Sequence, residues 1–309
     1  MKKSIINKNH SGLFLNGFIL LLLVVMSFMS CAGSEEGKSV VMEEEVEEPE
    51  DGKVEGVDYF LPKIDLNNWK VTLPIGRPTE VMPPEILDYA TNETVLPFMY
   101  NDSTDASLVF YTYPGATTTN SKYSRTELRE QLVPGSNSTN WTFAQGAYMK
   151  GTLKVDQISK EDDGDPHRVI VMQIHGRLSN NQRDLINEDD NNAPPILKIY
   201  WNKGRVRVHR KILKDLDVND VDILRTSAWT DEAEWLGDPV DFDSFTLEIK
   251  VSDGYMAVIL NGEDKLEYTD IHVAKWGIFE NYFKAGNYLQ SSDPEASSTI
   301  KYYDLEVSH

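Results

Sequence analysis

The run Tyr282-Phe283-Lys284-Ala285-Gly286-Asn287-Tyr288-Leu289-Gln290 puts polar side chains at alternate positions, with Phe283, Ala285 and Leu289 between them. Alternate side chains of a β-strand share a face. The run therefore predicts a strand showing Tyr282, Lys284, Tyr288 and Gln290 on one side and an apolar surface on the other. Two further stretches obey the same rule. Arg125-Thr126-Glu127-Leu128-Arg129 presents Arg125, Glu127 and Arg129 together, with Gln131 continuing the row. Gln173-Ile174-His175 presents Gln173 and His175, while Ile170, Met172 and Ile174 point the other way into a core. Around these lie more strand-like runs: Leu108–Tyr113, Gly146–Val155, Ile196–Tyr200, Arg205–Arg210, Phe245–Val251, Tyr255–Leu260 and Ile300–Val307. Turns such as Ser252-Asp253-Gly254 and Asn261-Gly262-Glu263 separate them, and Pro83 to Tyr89 suits one short helical turn. The pattern is that of an all-β, antiparallel sandwich or jelly roll.

Taken singly, each polar strand face reads as a solvated sheet surface. A solvated face is normally a mixture of Thr, Ser, Lys and Glu. Here one strand carries Gln beside His, another sets two Tyr around a Lys, and a third brings two Arg. Together they suit an acidic ligand and a proton transfer. His175, with an ordinary pKa of about 6.5, is a candidate base at neutral pH. Tyr288, ordinarily at about 10, needs a nearby cation to act as one, and Lys284 on the same strand face is the expected source.

The ends of the chain read differently. Lys2, Lys3 and Lys8 precede an apolar stretch from Leu13 to Met29, which is marginal for a permanent span of about 20 residues. It runs into Phe28-Met29-Ser30-Cys31, similar to a bacterial lipobox in which Cys31 becomes the lipidated first residue; ordinary signal-peptidase cleavage nearby, giving a secreted protein, is the alternative. Cys31 is the sole cysteine, so no disulfide forms within one chain. Residues 32–58 hold eleven acidic residues against Lys38 and Lys53, the composition of a disordered tether. The expected organisation is a signal peptide over 1–30, a tether over 31–58 and one β domain over 59–309. Such a chain would be anchored to a bacterial outer membrane or cell surface, and monomeric.

The net charge of −20 argues against nucleic acid as a partner, because phosphate binding wants clustered positive charge. It leaves room for an acidic polysaccharide, since a basic groove focuses potential locally and the tether alone carries nine of the net negative charges. No zinc or nucleotide motif appears, and the Asp/Asn run at 189–192 lacks the ligand spacing of a calcium loop, so no metal or other cofactor is expected. Ser179 to Asn192 and Asp215 to Asp243, the latter with Trp229 and Trp235, read as long loops: solvated insertions, or walls closing a groove.

RTELRE, QIH and YFKAGNYLQ resemble the three signature regions of the alginate lyases of polysaccharide lyase family 7. Asp65–Pro74 is similar to the family's opening strand, and Pro194–Lys198 and Tyr302–Val307 also fit, in order, over about residues 59–309. Leu289 departs from the family's usual Asn, on the side expected to face away from sugar. The resemblance implies a jelly roll with a concave substrate groove and cleavage of alginate by β-elimination. It implies that Arg125 and Gln173 neutralise the substrate carboxylate, with His175 and Tyr288 moving protons. Arg129, Lys284, Tyr282 and Gln290 would bind substrate, and Glu127, grouped with them, would orient the guanidinium groups. Ile174 between Gln and His goes, within the family, with guluronate-containing chains. Two alternatives stay open: a non-catalytic sugar-binding lipoprotein, and a lyase for another polyuronate such as glucuronan. A glycoside hydrolase fits less well, because it wants paired carboxylates and these faces offer mainly Glu127.

Overall fold

The computed structural model describes residues 61–309; the expected signal peptide, the expected lipidation site Cys31 and the expected tether over 31–58 lie outside them. In chain order the strands begin β1 (Lys63–Ile64), β2 (Trp69–Leu73), β3 (Thr79–Val81), β4 (Met99–Asp102), β5 (Ser107–Thr112) and β6 (Arg125–Glu130). There follow β7 (Ala147–Ile158), β8 (Val169–Arg177), β9 (Asn192–Asn202), β10 (Arg205–Leu213) and β11 (Trp229–Leu236). The last are β12 (Phe245–Ser252), β13 (Tyr255–Leu260), β14 (Asp264–Tyr268), β15 (Glu280–Leu289) and β16 (Ser298–Ser308). Among the described residues two short helices, α1 (Asn180–Ile186) and α2 (Ile271–Trp276), and four 3₁₀ turns accompany the strands, one of them at Glu85–Asp88 as the sequence suggested. Among the described residues no helix is long and apolar enough to cross a membrane.

The strands form two sheets. One runs β14-β13-β12-β7-β16-β5-β4, with β1 added in parallel on β16; the other runs β11-β10-β9-β8-β15-β6-β2-β3. Every other pairing is antiparallel, and the architecture is a jelly-roll sandwich.

The two sheets bury their residues differently, which locates the site. In β7, Ala147, Met149, Gly151, Leu153 and Val155 are buried while Tyr148, Lys150, Thr152 and Lys154 are half-buried, the alternation of a sheet with one wet face. In the second sheet β2 is buried at every position, and β6 at all but Arg125. Their core sides carry Val71, Leu73 and Leu128 in the common core, with Thr126 and Glu130 as buried polar exceptions, Glu130 accepting from Trp141 Nε1 and the Phe283 N–H. Their other sides bury Lys70, Glu127 and Arg129, joined from β8 and β15 by Gln173 and Lys284. Buried charge is costly unless each group is paired. A fold that gathers three buried cations around one buried carboxylate on one face of one sheet is maintaining a site there.

Three readings of the sequence need correction. The strands around β8 slip register between Ile170 and Met172 and between Ala285 and Tyr288. This irregularity reverses the alternation, so Val171 enters the core and Ile170 lies opposite Tyr288 and Tyr200 on the concave face. The segment 215–243 is not all loop: it contains β11, the edge strand of the concave sheet. Its acidic residues hide a strand signal, because Asp231 pairs with Lys198 and Lys211 while Glu232 turns to Arg210. Finally, Ser179–Asn192 contains α1, announced by a capping box in which Ser179 accepts from the Gln182 N–H and Gln182 accepts from the Ser179 N–H.

Candidate active site

Cross-strand register assembles the concave face in rows, since directly opposed residues share a face. One row joins Lys70, Arg129, Lys284, Gln173 and Lys198. The next holds Thr72, Glu127 and Gly286, and beyond it Arg125 lies opposite Tyr288. At the other end His175 faces Tyr282.

Glu127 is the hub. It is 1% exposed, and its carboxylate accepts from Arg125 Nη1 at 3.0 Å and Gln173 Nε2 at 2.5 Å, with Lys284 Nζ as its third partner. Burial alone would raise its pKa, but Lys284 and Arg125 hold the carboxyl below its ordinary value. Lys284 is also shifted down, which for an ammonium disfavours the charged form. Burial and the Arg125 charge push its ammonium down to about 8, with Glu127 opposing. Gly286 gives this cluster room: at φ +134° a Cβ there would meet the Thr126 carbonyl at 2.8 Å and Glu127 Cα at 3.0 Å.

His175 and Tyr288 stand at the two ends of the cluster. The Nδ1 of His175 lies 2.9 Å from the Gly176 carbonyl. A carbonyl only accepts, so Nδ1 carries the proton and Nε2 keeps its lone pair. Burial, with Lys284 and Arg125, pushes the His175 pKa down to about 3, and the ring stacks on Tyr282 at 5.1 Å and 12°. Tyr288 packs its ring under the Arg125 guanidinium, 3.7 Å from Cζ, and hydrogen-bonds with Ser121. Burial raises its pKa against the opposing pull of Arg125, so its hydroxyl stays protonated. In a flat sheet the rows of His175 and Tyr288 would lie about 20 Å apart. The register slips bend the strands between them, and the charge of Arg125, seated on Tyr288, acts on His175 as well.

Other expected residues fall out as follows. The cation at Tyr288 is Arg125, not Lys284, because register sets Lys284 against Arg129 and Gln173. Arg129 stacks on Tyr282 at 4.0 Å and donates to the Glu130 and Asn137 carbonyls and to Asn140 Oδ1, so it braces the 137–140 turn at the wall. Glu127 lies beneath the floor with its oxygens engaged; it positions Arg125, Gln173 and Lys284, and substrate does not reach it. Gln131 is buried and donates to Asn137 Oδ1. Gln290 follows β15, its amide donating to the Tyr288 carbonyl. Leu289 is fully buried opposite Val169 of the core, away from the groove.

Arg125, Arg129, His175, Tyr282 and Lys284 line a cavity of about 320 Å³. Lys70, Asn120, Asn137 and Arg177, which sequence reasoning had not singled out, are also in the lining, as are Asp190–Asn192 of the segment read as a solvated insertion or a groove wall. Lys70 was findable, because Trp69, Val71 and Leu73 alternate with Lys70 and Thr72. Arg177 ends β8, and Asn120, Asn137 and Asp190 come from loops whose meeting is not written locally: Asn120 donates to Asp190 across 70 residues, at 3.0 Å. The lining residues cross the sheet from β3 to β9, so the groove runs across the strands. Gln173 and Tyr288 are not in that lining: Gln173 is buried beside Glu127 and Tyr288 lies under Arg125. The cavity itself is a carboxylate-binding centre with the His175 lone-pair nitrogen at one end and the Tyr288 phenol beyond Arg125 at the other.

A family profile described as alginate lyase matches residues 64–309. Among solved structures, alginate lyase A1-II′, a member of polysaccharide lyase family 7, is 30% identical with a TM-score of 0.62, over 80% of this chain and 96% of that one. The same enzyme, in a form with one histidine and one tyrosine replaced, has been solved in complex with the substrate GGMG. Alginate lyase AlgAT5, also of family 7, is 26% identical with a TM-score of 0.56, over 79% and 95% of the two chains. Alginate lyase PA1167 from Pseudomonas aeruginosa, at 24% identity and a TM-score of 0.59 over 80% and 100%, shares the fold. No curated protein matches the sequence.

Proposed function

This chain belongs to the alginate lyase family and is a polysaccharide lyase, and from that premise we propose how its residues divide the work. Alginate is a polymer of mannuronate and its C5 epimer guluronate. In β-elimination the C5–H bond breaks, its electron pair forms the C4=C5 double bond, and the C4–O bond breaks toward the leaving sugar. The C5 proton is weakly acidic while the neighbouring carboxylate keeps its charge. Arg125 and Lys284, with Gln173 beside them on Glu127, are preorganised to stabilise the enolate-like charge that develops there.

The epimers point their C5 proton to opposite sides of the ring, and His175 and Tyr288 stand on opposite sides of the cluster. For guluronate, His175 Nε2 takes the proton and the Tyr288 hydroxyl donates to the departing O4. For mannuronate, Tyr288 would serve as both base and acid, taking the C5 proton as a phenolate and returning it to the departing O4; because burial keeps its hydroxyl protonated, the site favours the guluronate route. The observation carrying this division is the contrast in protonation: a histidine held neutral, with Nδ1–H pinned to Gly176, and a tyrosine held protonated. The GGMG complex of a histidine- and tyrosine-substituted relative supports a role for both residue types. Ile174 between Gln173 and His175 supports guluronate-containing chains as substrate.

The test is ultraviolet absorbance of the new C4=C5 bond on separate polyguluronate, polymannuronate and glucuronan. Tyr288→Phe is expected to abolish the rise on all substrates, and His175→Ala on guluronate blocks above all. Full guluronate activity in His175→Ala would refute the division. A flat wild-type trace with retained alginate binding would indicate a binding protein, and activity confined to glucuronan another polyuronate lyase.

The N-terminal residues support a surface role. Cys31 behind its apolar segment is proposed as a lipid attachment point, with 32–58 spacing the enzyme from the membrane. Labelled palmitate should enter the wild type and not Cys31→Ser; equal labelling of both, or of neither, would refute it.

A further inference from the structure

The row of the concave face that holds Arg125 and Tyr288 does not stop at them. Register carries it on through Ile170 of β8, Tyr200 of β9 and Arg207 of β10 to Trp235 of β11, at the sheet edge. Four strand spacings of about 4.8 Å put Trp235 about 19 Å from Tyr288 along the groove direction.

The far end of that row has three unusual properties. Trp235 is 42% exposed, on a strand where Asp231 is engaged by Lys198 and Lys211, Glu232 by Arg210, and Glu234 turns to Tyr268 on the opposite face. The guanidinium carbons of Arg205 and Arg207 lie 4.9 and 5.0 Å from its ring centroid. The Nε–H of each arginine is buried with no hydrogen-bond partner, and among the described residues neither arginine has a carboxylate partner. Arg168, seated over Tyr200 at 5.6 Å, adds a further cation to the row. Buried unsatisfied donors and an exposed indole are both costs to the free protein, and one class of ligand relieves both. A uronate residue offers a carboxylate to the guanidinium forks and a C–H-lined ring face to the indole.

We propose that Trp235, with Arg205 and Arg207, is a distal subsite that grips a uronate residue of a chain whose scissile bond lies at His175 and Tyr288. The subsite rests on the reading of that groove as the site of alginate cleavage. It gives long chains a second anchor that short oligomers cannot reach, so the enzyme favours polymer over oligomer.

The test separates binding from cleavage. In a Tyr288→Phe background, Trp235→Ala, Trp235→Phe and Arg207→Gln are compared for retardation in alginate-containing native gels and for affinity toward a guluronate trisaccharide. Trp235→Ala and Arg207→Gln should each weaken polymer binding about tenfold, leave trisaccharide affinity and melting temperature unchanged, and Trp235→Phe should recover most of the loss. In the active enzyme the same changes raise KM for polymer and not kcat. Unchanged polymer binding in Trp235→Ala, or equal losses on polymer and trisaccharide, would overturn the subsite. A wild type that binds polymer through Trp235 without cutting it would instead refute the cleavage reading and leave the subsite standing. Should Trp235→Ala melt early, the exposed edge change Trp235→Leu and Arg207→Gln carry the same comparison.

Discussion

Replacing Glu127 by Gln keeps the shape of the hub and removes its charge. The side chain is 1% exposed and holds Arg125, Lys284 and Gln173 together. An amide offers one acceptor where the carboxylate offered two, and its NH₂ would face a donor. Two cations are then left in a buried setting without a counter-charge. Breaking a buried ion pair from one side costs about 3–5 kcal/mol, which for a domain of this size lowers Tm by roughly 10 °C. Lys284 has a way out. Already near pKa 8 with Glu127 holding it up, it falls further in the variant and sheds its proton. The folded-state pKa is then depressed below the unfolded value, so the unfolded chain binds more protons and stability rises with pH between the two values. The destabilisation should therefore be larger near about pH 6 than near about pH 9. With Lys284 neutral and Arg125 released, kcat/KM should drop about a hundredfold. Thermal melts at both pH values and initial rates on alginate test this. A variant melting within about 2 °C of wild type at the lower pH, with its activity retained, would refute the hub.

Three further outcomes are expected. Above about pH 8 Lys284 loses its charge, so KM for alginate should rise; in Lys284→Arg, whose charge persists, that alkaline rise should vanish, and its persistence would point elsewhere. Because His175 is pushed down to about 3, kcat/KM, which reports the free enzyme, should show no histidine-like loss as pH falls through 6.5, and an NMR titration of His175 near 6.5 would contradict this. Gly286→Ala forces a side chain at φ +134° against the Thr126 carbonyl and Glu127 and should cost about 1–3 kcal/mol in chemical denaturation, whereas a wild-type midpoint would show that β15 can yield there.

The sequence determined the strand faces. Arg125, Glu127 and Arg129 share a face because a strand repeats every two residues, and the same rule unites Gln173 with His175 and Tyr282 with Lys284; the structure keeps all three groups. It also carried the family, since the signature runs are local. The tertiary structure decided what local period does not encode, which is register between distant strands and departures from the period. The slip near Ile170 is invisible in a run of Val, Ile and Met that suits either face. Arg125, and not Lys284, covers Tyr288 because β6 and β15 pair with Tyr288 opposite Arg125. Lys284, the nearer residue in sequence, is drawn to Glu127. Trp235 looked like part of an acidic loop until strand pairing turned Glu232 one way and the indole the other, against two arginines. Composition along a strand is a one-dimensional record, and a groove is read across strands.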